Sequence, residues 1–351
     1  MELLTKAISE VGLPDDDAVA RCKARLDSLT KPPGSLGMLE DVAVKIAGIT
    51  GRIAPDLSSR VVLVMAGDHG VTAEGVSAYP SEVTPQMVLN FLRGGAAINV
   101  LARHAGAGVV VADVGVAADV AGEGLRNVKV RKGTANMAAG PAMSREEAVA
   151  SVEAGIRLAH DAIDGGAAMI ATGDMGIGNT TASSAILAAF SGMDVGEITG
   201  RGTGVDDARL RLKADVIRKA LAVNRPDPAD PLDVLHKVGG LEIGAIAGAI
   251  ISAAGRRVPV VVDGFISSAG ALVAERMQPN VRHFMVASHL SEEPGHGAIL
   301  KIIGLEPMLH MRMRLGEGTG AVLAFHLIDA SMKVLREMAT FAEAGVSERS
   351  T

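Results

Sequence analysis

Hydrophobic positions fall into two textures along this chain. Near the start, Val19, Cys22, Leu26 and Leu29 recur at helical spacing, which predicts an amphipathic helix over 15–29. Lys31-Pro32-Pro33-Gly34 follows and stops it, because proline cannot continue the helical ladder. A second helix is predicted over 35–50, capped by Ser35. The texture then changes to five short, continuously apolar runs, each ending in small or polar residues. Residues 61–65 end in Gly67-Asp68-His69-Gly70, and 109–111 in Asp113-Val114-Gly115. Residues 169–170 end in Gly173-Asp174, 258–262 in Asp263-Gly264, and 284–286 in Ser288-His289. Continuous apolar runs between helical stretches predict parallel strands buried on both faces. A sixth strand is expected, but no run marks its place.

Crossover helices are predicted at 85–105, 144–164, 179–190, 207–222, 241–254 and 266–276, with a stiff proline-rich loop at 224–231. Right-handed crossovers gather the carboxyl ends of the strands at one edge, and ligands of such sheets sit in the crevice there. The chain turns helical again over 318–344, with Leu323, Leu327, Met332, Leu335 and Met338 as the apolar face and Gly345 as the stop. The predicted class is therefore α/β. A parallel, Rossmann-like sheet flanked by helices spans 51–300, and a small helical domain is built from 1–50 and 301–351.

The richest stretch is 171–187, Ala-Thr-Gly-Asp-Met-Gly-Ile-Gly-Asn-Thr-Thr-Ala-Ser-Ser-Ala-Ile-Leu. A buried strand runs into Gly173, Gly176 and Gly178, and a helix begins near Asn179 and Thr180. Free N–H groups at a helix start favour an anion. This predicts a phosphorylated small molecule at the sheet edge. Gly200-Arg201-Gly202-Thr203-Gly204 is a second glycine loop before a helix, with Arg201 as a nearby cation and Lys213 two turns in. From spacing alone, Lys213 either reaches a phosphate or is a solvated lysine on a capped surface helix.

Glu317 lies within Leu315-Gly316-Glu317-Gly318-Thr319-Gly320. Glycines on both sides present one carboxylate at a fixed place, and burial against Leu315 would raise its pKa toward that of a general base. The plain alternative is an acid that offsets a helix dipole. The loop carrying Ser77, Tyr79, Gln86 and Met87 is either a wall for a heteroaromatic ring or an ordinary strand-to-helix connection. His69 reads as a loop histidine satisfied by a neighbouring carboxylate. Glu292-Glu293 reads as a solvated face or a helix-start pair.

Composition narrows the classes. A net charge of −6 leaves no broad basic face for nucleic acid. Aromatics are 2% of residues, so base-stacking platforms are not a main device. One cysteine forms no disulfide within the chain, and the start lacks the apolar core of a signal peptide. No run serves as a membrane span, so a soluble, cytoplasmic protein is expected. There is no GxSxG elbow, no P-loop, no zinc-type His or Cys spacing and no G-x-G-x-x-G fingerprint. No metal and no cofactor is expected.

Lys31-Pro32-Pro33-Gly34-Ser35-Leu36-Gly37, Gly67-Asp68-His69-Gly70-Val71, the 173–181 segment, the 200–204 loop and the 315–320 loop occur together and in order. From about residue 10 to 342, the chain resembles the nicotinate-nucleotide–dimethylbenzimidazole phosphoribosyltransferases of cobalamin biosynthesis. The resemblance implies a homodimer with a parallel α/β domain and a small helical domain from both termini. It implies transfer of the phosphoribosyl group of nicotinate mononucleotide to 5,6-dimethylbenzimidazole or a related base, giving α-ribazole 5′-phosphate and nicotinate. It implies Glu317 as the base, and Gly176, Gly202 and Lys213 as phosphate contacts. Many family members carry Glu where this chain has Asp174, a second catalytic candidate whose shorter side chain stands a methylene farther back. A non-catalytic nucleotide-binding relative and another phosphoribosyl-transferring enzyme are the competing classes.

Overall fold

The five apolar runs are strands of one sheet in the computed structural model, which describes residues 1–202 and 204–347. Thr203 of the second glycine loop and the tail 348–351 lie outside the described residues. The strands are β1 (Arg60–Gly67), β2 (Gly108–Gly115), β3 (Arg126–Asn127), β4 (Met169–Met175), β5 (Val260–Val262) and β6 (Met285–Ala287). Their order is β3-β2-β1-β4-β5-β6, and every pairing is parallel. This order places β1 beside β4, the point where the chain changes direction across the sheet. Crevices at such switch points take ligands. The sixth strand is β3, two exposed residues at the edge.

Helices cover both faces, and the core is continuous through Leu63, Met65, Ile170, Val261 and Met285. The helix Leu241–Gly255 is apolar nearly all round and buried from Leu241 to Ala254, packing against Arg145–Asp164 and Phe265–Met277. Ser144 caps Arg145–Asp164 through a reciprocal pairing with Glu147, which satisfies two donors the helix start leaves open. The stretch predicted as one helix over 85–105 is two, Val83–Leu92 and Ala97–Ala105, broken at Gly94 and Gly95. Ser35 is not a cap. The helix Met38–Thr50 begins after Gly37, and Glu40 reaches back to accept the Leu36 N–H at 2.9 Å while pairing with Lys31.

The terminal segments meet. Met38–Thr50 packs on Asp16–Ser28 and on the long helix Thr319–Glu337, and Arg25 donates to the Leu335 and Met338 carbonyls. The helix Glu2–Glu10, not among the predicted elements, lies instead against Arg145–Asp164 and Leu241–Gly255. Pro231 opens the helix Pro231–Val238 behind the Asp230 cap, so the stiff 224–231 loop ends by starting a helix. Among the described residues no helix is long and apolar enough to cross a membrane.

Candidate functional site

Two backbone loops cross tightly at the carboxyl edge of the sheet. A Cβ on Gly173, near the end of β4, would stand 2.5 Å from the Glu317 carbonyl oxygen. Only glycine permits that approach. Glu317 itself adopts φ 64°, a left-handed backbone that side chains rarely take, between Gly316 and Gly318. Such strain persists where its surroundings over-determine it. Here the determining group is Asp263, at the end of β5. Its Oδ2 accepts the Gly318 N–H at 3.1 Å, and its Oδ1 accepts those of Gly320 and Ala321 at 2.8 and 3.0 Å. One buried carboxylate thus caps the helix Thr319–Glu337 and sets the residue just before it.

The Glu317 side chain is buried, and its Oε2 accepts the Ile98 N–H at 3.1 Å from the first turn of Ala97–Ala105. Burial pushes its carboxyl above the ordinary range and the Asp263 charge adds to the rise, while the Ile98 hydrogen bond partly offsets it. The dipole-balancing reading fits poorly, because the helix start is already served by Asp263.

Asp174 stands beside it. Asp174 Oδ2 accepts from Asn179 Nδ2 at 3.0 Å, and Oδ1 is buried with no partner among the described residues. Burial, then the charges of Asp263 and Glu242, push Asp174 well above the carboxylate range, against the Asn179 hydrogen bond. Ionisation of this acid is therefore disfavoured. A carboxyl raised in the folded state stabilises the fold at low pH, and that contribution is lost as pH rises through the folded pKa. Asp174→Asn, which cannot ionise, is expected to gain melting temperature relative to the wild type between about pH 5 and about pH 8. A constant difference across that range would contradict the assignment.

The cavity that these acids face has a volume of about 460 Å³. Tyr79, Val83, Met87, Met175, Phe265, Ile266 and Leu315 give it an apolar part, and Gly176, Asn179, Thr180, Gly202, His289, Ser291, Glu293 and Arg314 a polar one. That mixed lining suits a ligand with an apolar ring and a polar or anionic group. Gly176 is pressed against β1, since a Cβ there would stand 2.1 Å from the Gly67 carbonyl oxygen. Thr84 Oγ1 accepts the Ile177 N–H at 3.1 Å and pins the loop. Gly178 is the residue before the helix Asn179–Ser191.

Lys213 is buried, which removes the solvated reading. Its Nζ donates to Thr180 Oγ1 at 2.7 Å and to the Gly200 carbonyl at 3.1 Å, just behind the polar wall. Burial pulls its pKa down to about 8, against the attraction of Glu293. Glu293 decides between the two readings of its pair: it is no solvated acid but lies buried just before the helix Gly295–Ile303, and its Oε1 accepts the Gly202 N–H at 2.9 Å. Its neighbour Glu292 is exposed. A pair of adjacent acids looks like surface in sequence, and only the fold brings one of them onto the glycine loop.

The structure gathers Glu317, Asp174, Gly176, Asn179, Thr180, Gly202, Tyr79, Met87 and Leu315 around the cavity. Others stand apart. Gln86 is exposed, and Ser77 lies in an adjoining depression, where its Oγ accepts the Tyr79 N–H. Arg201 turns to the Val205 carbonyl and to Asp207. His69 is satisfied as expected, but by the distant Glu242 at 2.6 Å rather than by Asp68, which accepts the Ala117 N–H. Burial opposes a charge on His69, and the Glu242 carboxylate prevails and raises its pKa. Sequence reasoning missed Asp263 and His289 as site residues. Their signal was their position directly after apolar runs, at the sheet edge.

Comparison with known proteins gives a consistent set of relatives. A family model described as Phosphoribosyltransferase matches residues 11–346. A nicotinate-nucleotide–dimethylbenzimidazole phosphoribosyltransferase of Desulforamulus reducens is 60% identical, covering 99% of this chain and 100% of its own length. The enzyme of the same name from Chloroflexus aggregans is 58% identical, with 99% of each covered. The crystal structure of CobT from Thermus thermophilus superposes with a TM-score of 0.91 at 51% identity, covering 95% of this chain and 100% of that one.

Proposed function

Because this chain belongs to the nicotinate-nucleotide–dimethylbenzimidazole phosphoribosyltransferase family, we propose that its cavity joins the ribose phosphate of nicotinate mononucleotide to a benzimidazole-type base. The observation that carries this reading is Glu317, a buried carboxylate with raised pKa, lining a cavity whose walls carry both apolar side chains and polar groups. The base lies against Met87, Met175 and Leu315, with one ring N–H toward Glu317. As the other ring nitrogen attacks C1′, Glu317 takes the N–H proton. The C1′–nitrogen bond to nicotinate breaks on the opposite face, and nicotinate leaves as a neutral pyridine. The displacement inverts C1′ from β to α and needs no enzyme nucleophile. The chain's task is to hold both partners in line.

The phosphate binds at the start of the helix Asn179–Ser191, where the helix dipole favours it. Lys213 supplies the cation from behind Thr180. Gly202 gives its N–H to Glu293, so a phosphate that uses Gly202 displaces that carboxylate. Lys213→Met is therefore expected to raise KM for the mononucleotide roughly tenfold or more, as for loss of a charged hydrogen bond, and to leave KM for the base nearly unchanged. Equal changes in the two KM values would remove Lys213 from the phosphate site.

The direct test is nicotinate release from nicotinate mononucleotide, measured with and without 5,6-dimethylbenzimidazole. Release that depends on the base, with α-ribazole 5′-phosphate formed in equal amount, supports the reading. Base-independent release overturns it. The rate should fall on acidification through the raised Glu317 pKa, because only the ionised carboxylate accepts the proton.

A further inference from the structure

His289 is a histidine of the cavity that the transfer mechanism leaves without a task. It follows β6 and packs on the first turn of Thr319–Glu337, where a Cβ on Gly320 would stand 2.0 Å from its Nδ1. Its side chain is 2% exposed and lines the cavity. Nδ1 lies 3.0 Å from Ser288 Oγ and 3.8 Å from Asp263 Oδ1. The Ser288 hydroxyl donates to the Asp263 carbonyl at 3.4 Å. The Asp263 carboxylate can only accept, so a proton on Nδ1 suits both neighbours, with Ser288 Oγ as the nearer acceptor. The carboxylate beside the same nitrogen favours that tautomer. Nε2 is left with its lone pair. It makes no hydrogen bond within the described residues and stands 3.6 Å from the Cβ position of Gly264, another cavity wall.

An acceptor in a cavity selects a donor. The phosphate of nicotinate mononucleotide has no N–H to offer, its nicotinate carboxylate only accepts, and the N–H of the incoming base goes to Glu317. The ribose hydroxyls remain. We propose that His289 binds the ribose, its Nε2 accepting a hydrogen bond from the 2′ or the 3′ hydroxyl of the nucleotide. The inference rests on the transfer reading above. Asp263 then serves two groups at once: it caps the helix that presents Glu317, and it lies beside the ring that holds the sugar. Base and C1′ are thereby kept in register.

The test is calorimetric binding of nicotinate mononucleotide and of its 2′-deoxy and 3′-deoxy counterparts to the wild type and three variants. The wild type should lose roughly tenfold in affinity for one deoxy nucleotide, as for a single hydrogen bond. His289→Ala should bind the parent nucleotide correspondingly more weakly and no longer distinguish it from that deoxy form. His289→Phe keeps a ring against Gly320 without the acceptor, and reads the same loss if the alanine variant fails to fold. His289→Gln, with an amide oxygen in reach, should restore part of the discrimination. A folded His289→Ala or His289→Phe that still discriminates as the wild type does overturns the proposal. Nicotinate release on the same samples separates the two readings. Absence of turnover with His289-dependent discrimination intact overturns the reaction and supports the ribose contact. Failure of the wild type to bind the nucleotide overturns both.

Discussion

Glu317→Gln is expected to lose roughly 10²–10⁴-fold in kcat, the range for removal of a general base, while KM for both substrates changes little. The amide has nearly the shape of the carboxylate, and its oxygen still accepts the Ile98 N–H that now meets Oε2. The left-handed backbone at φ 64° is no worse for Gln than for Glu. The melting temperature should therefore hold or rise slightly, since a raised carboxyl pKa marks an ionised form that the fold disfavours. Steady-state kinetics with a thermal melt of the same sample check this. Turnover within a factor of a few of the wild type would remove Glu317 as the base.

Asp263→Ala carries the second large effect, and it strikes stability and rate together. The carboxylate accepts three backbone N–H groups from the start of Thr319–Glu337. Deleting it leaves those donors buried with no acceptor, and each unmet buried group costs about 1–3 kcal/mol. Partial rearrangement of the turn brings the total to about 3–5 kcal/mol, as for other broken buried charged groups. A loss of that size lowers the melting temperature of a chain of 351 residues by roughly 5 °C. It also frees Gly316 to Gly318, so Glu317 leaves its fixed place and kcat falls beyond what the stability loss explains. Asp263→Asn retains one oxygen for Gly320 and Ala321 and should fall between alanine and the wild type in both measures. An alanine variant with unaltered melting would show that the helix start is held some other way.

Much of this architecture was legible because parallel strands write themselves as unbroken apolar runs. β1, β2, β4, β5 and β6 each lie under such a run. β3 had no such run, since Arg126 and Asn127 are both exposed. The break at Gly94 and Gly95 was hidden by apolar spacing that continues across it. In the site, Glu317 announced itself through its flanking glycines, and the glycine loops through their place after a strand. Asp263 and Glu293 did not, because their roles are long-range. Asp263 meets donors more than fifty positions away, and Glu293 meets Gly202 across 91. Its place after an apolar run sets Asp263 at the sheet edge, but nothing local shows that it will cap a distant helix. Lys213 was ambiguous for the same reason: its burial comes from the Gly200 loop and Thr180, which only the fold brings to it.

The most direct measurement is a crystal structure of this chain with 5,6-dimethylbenzimidazole and nicotinate mononucleotide bound together in the Glu317→Gln variant, where turnover is slow enough to trap both. The ring nitrogen of the base should lie within hydrogen-bond reach of the residue-317 side chain, about 2.6–3.2 Å, with its other nitrogen in line with C1′ and the phosphate at the start of Asn179–Ser191. A base seated elsewhere, with residue 317 turned away from it, would contradict proton removal by Glu317 and the mechanism built on it.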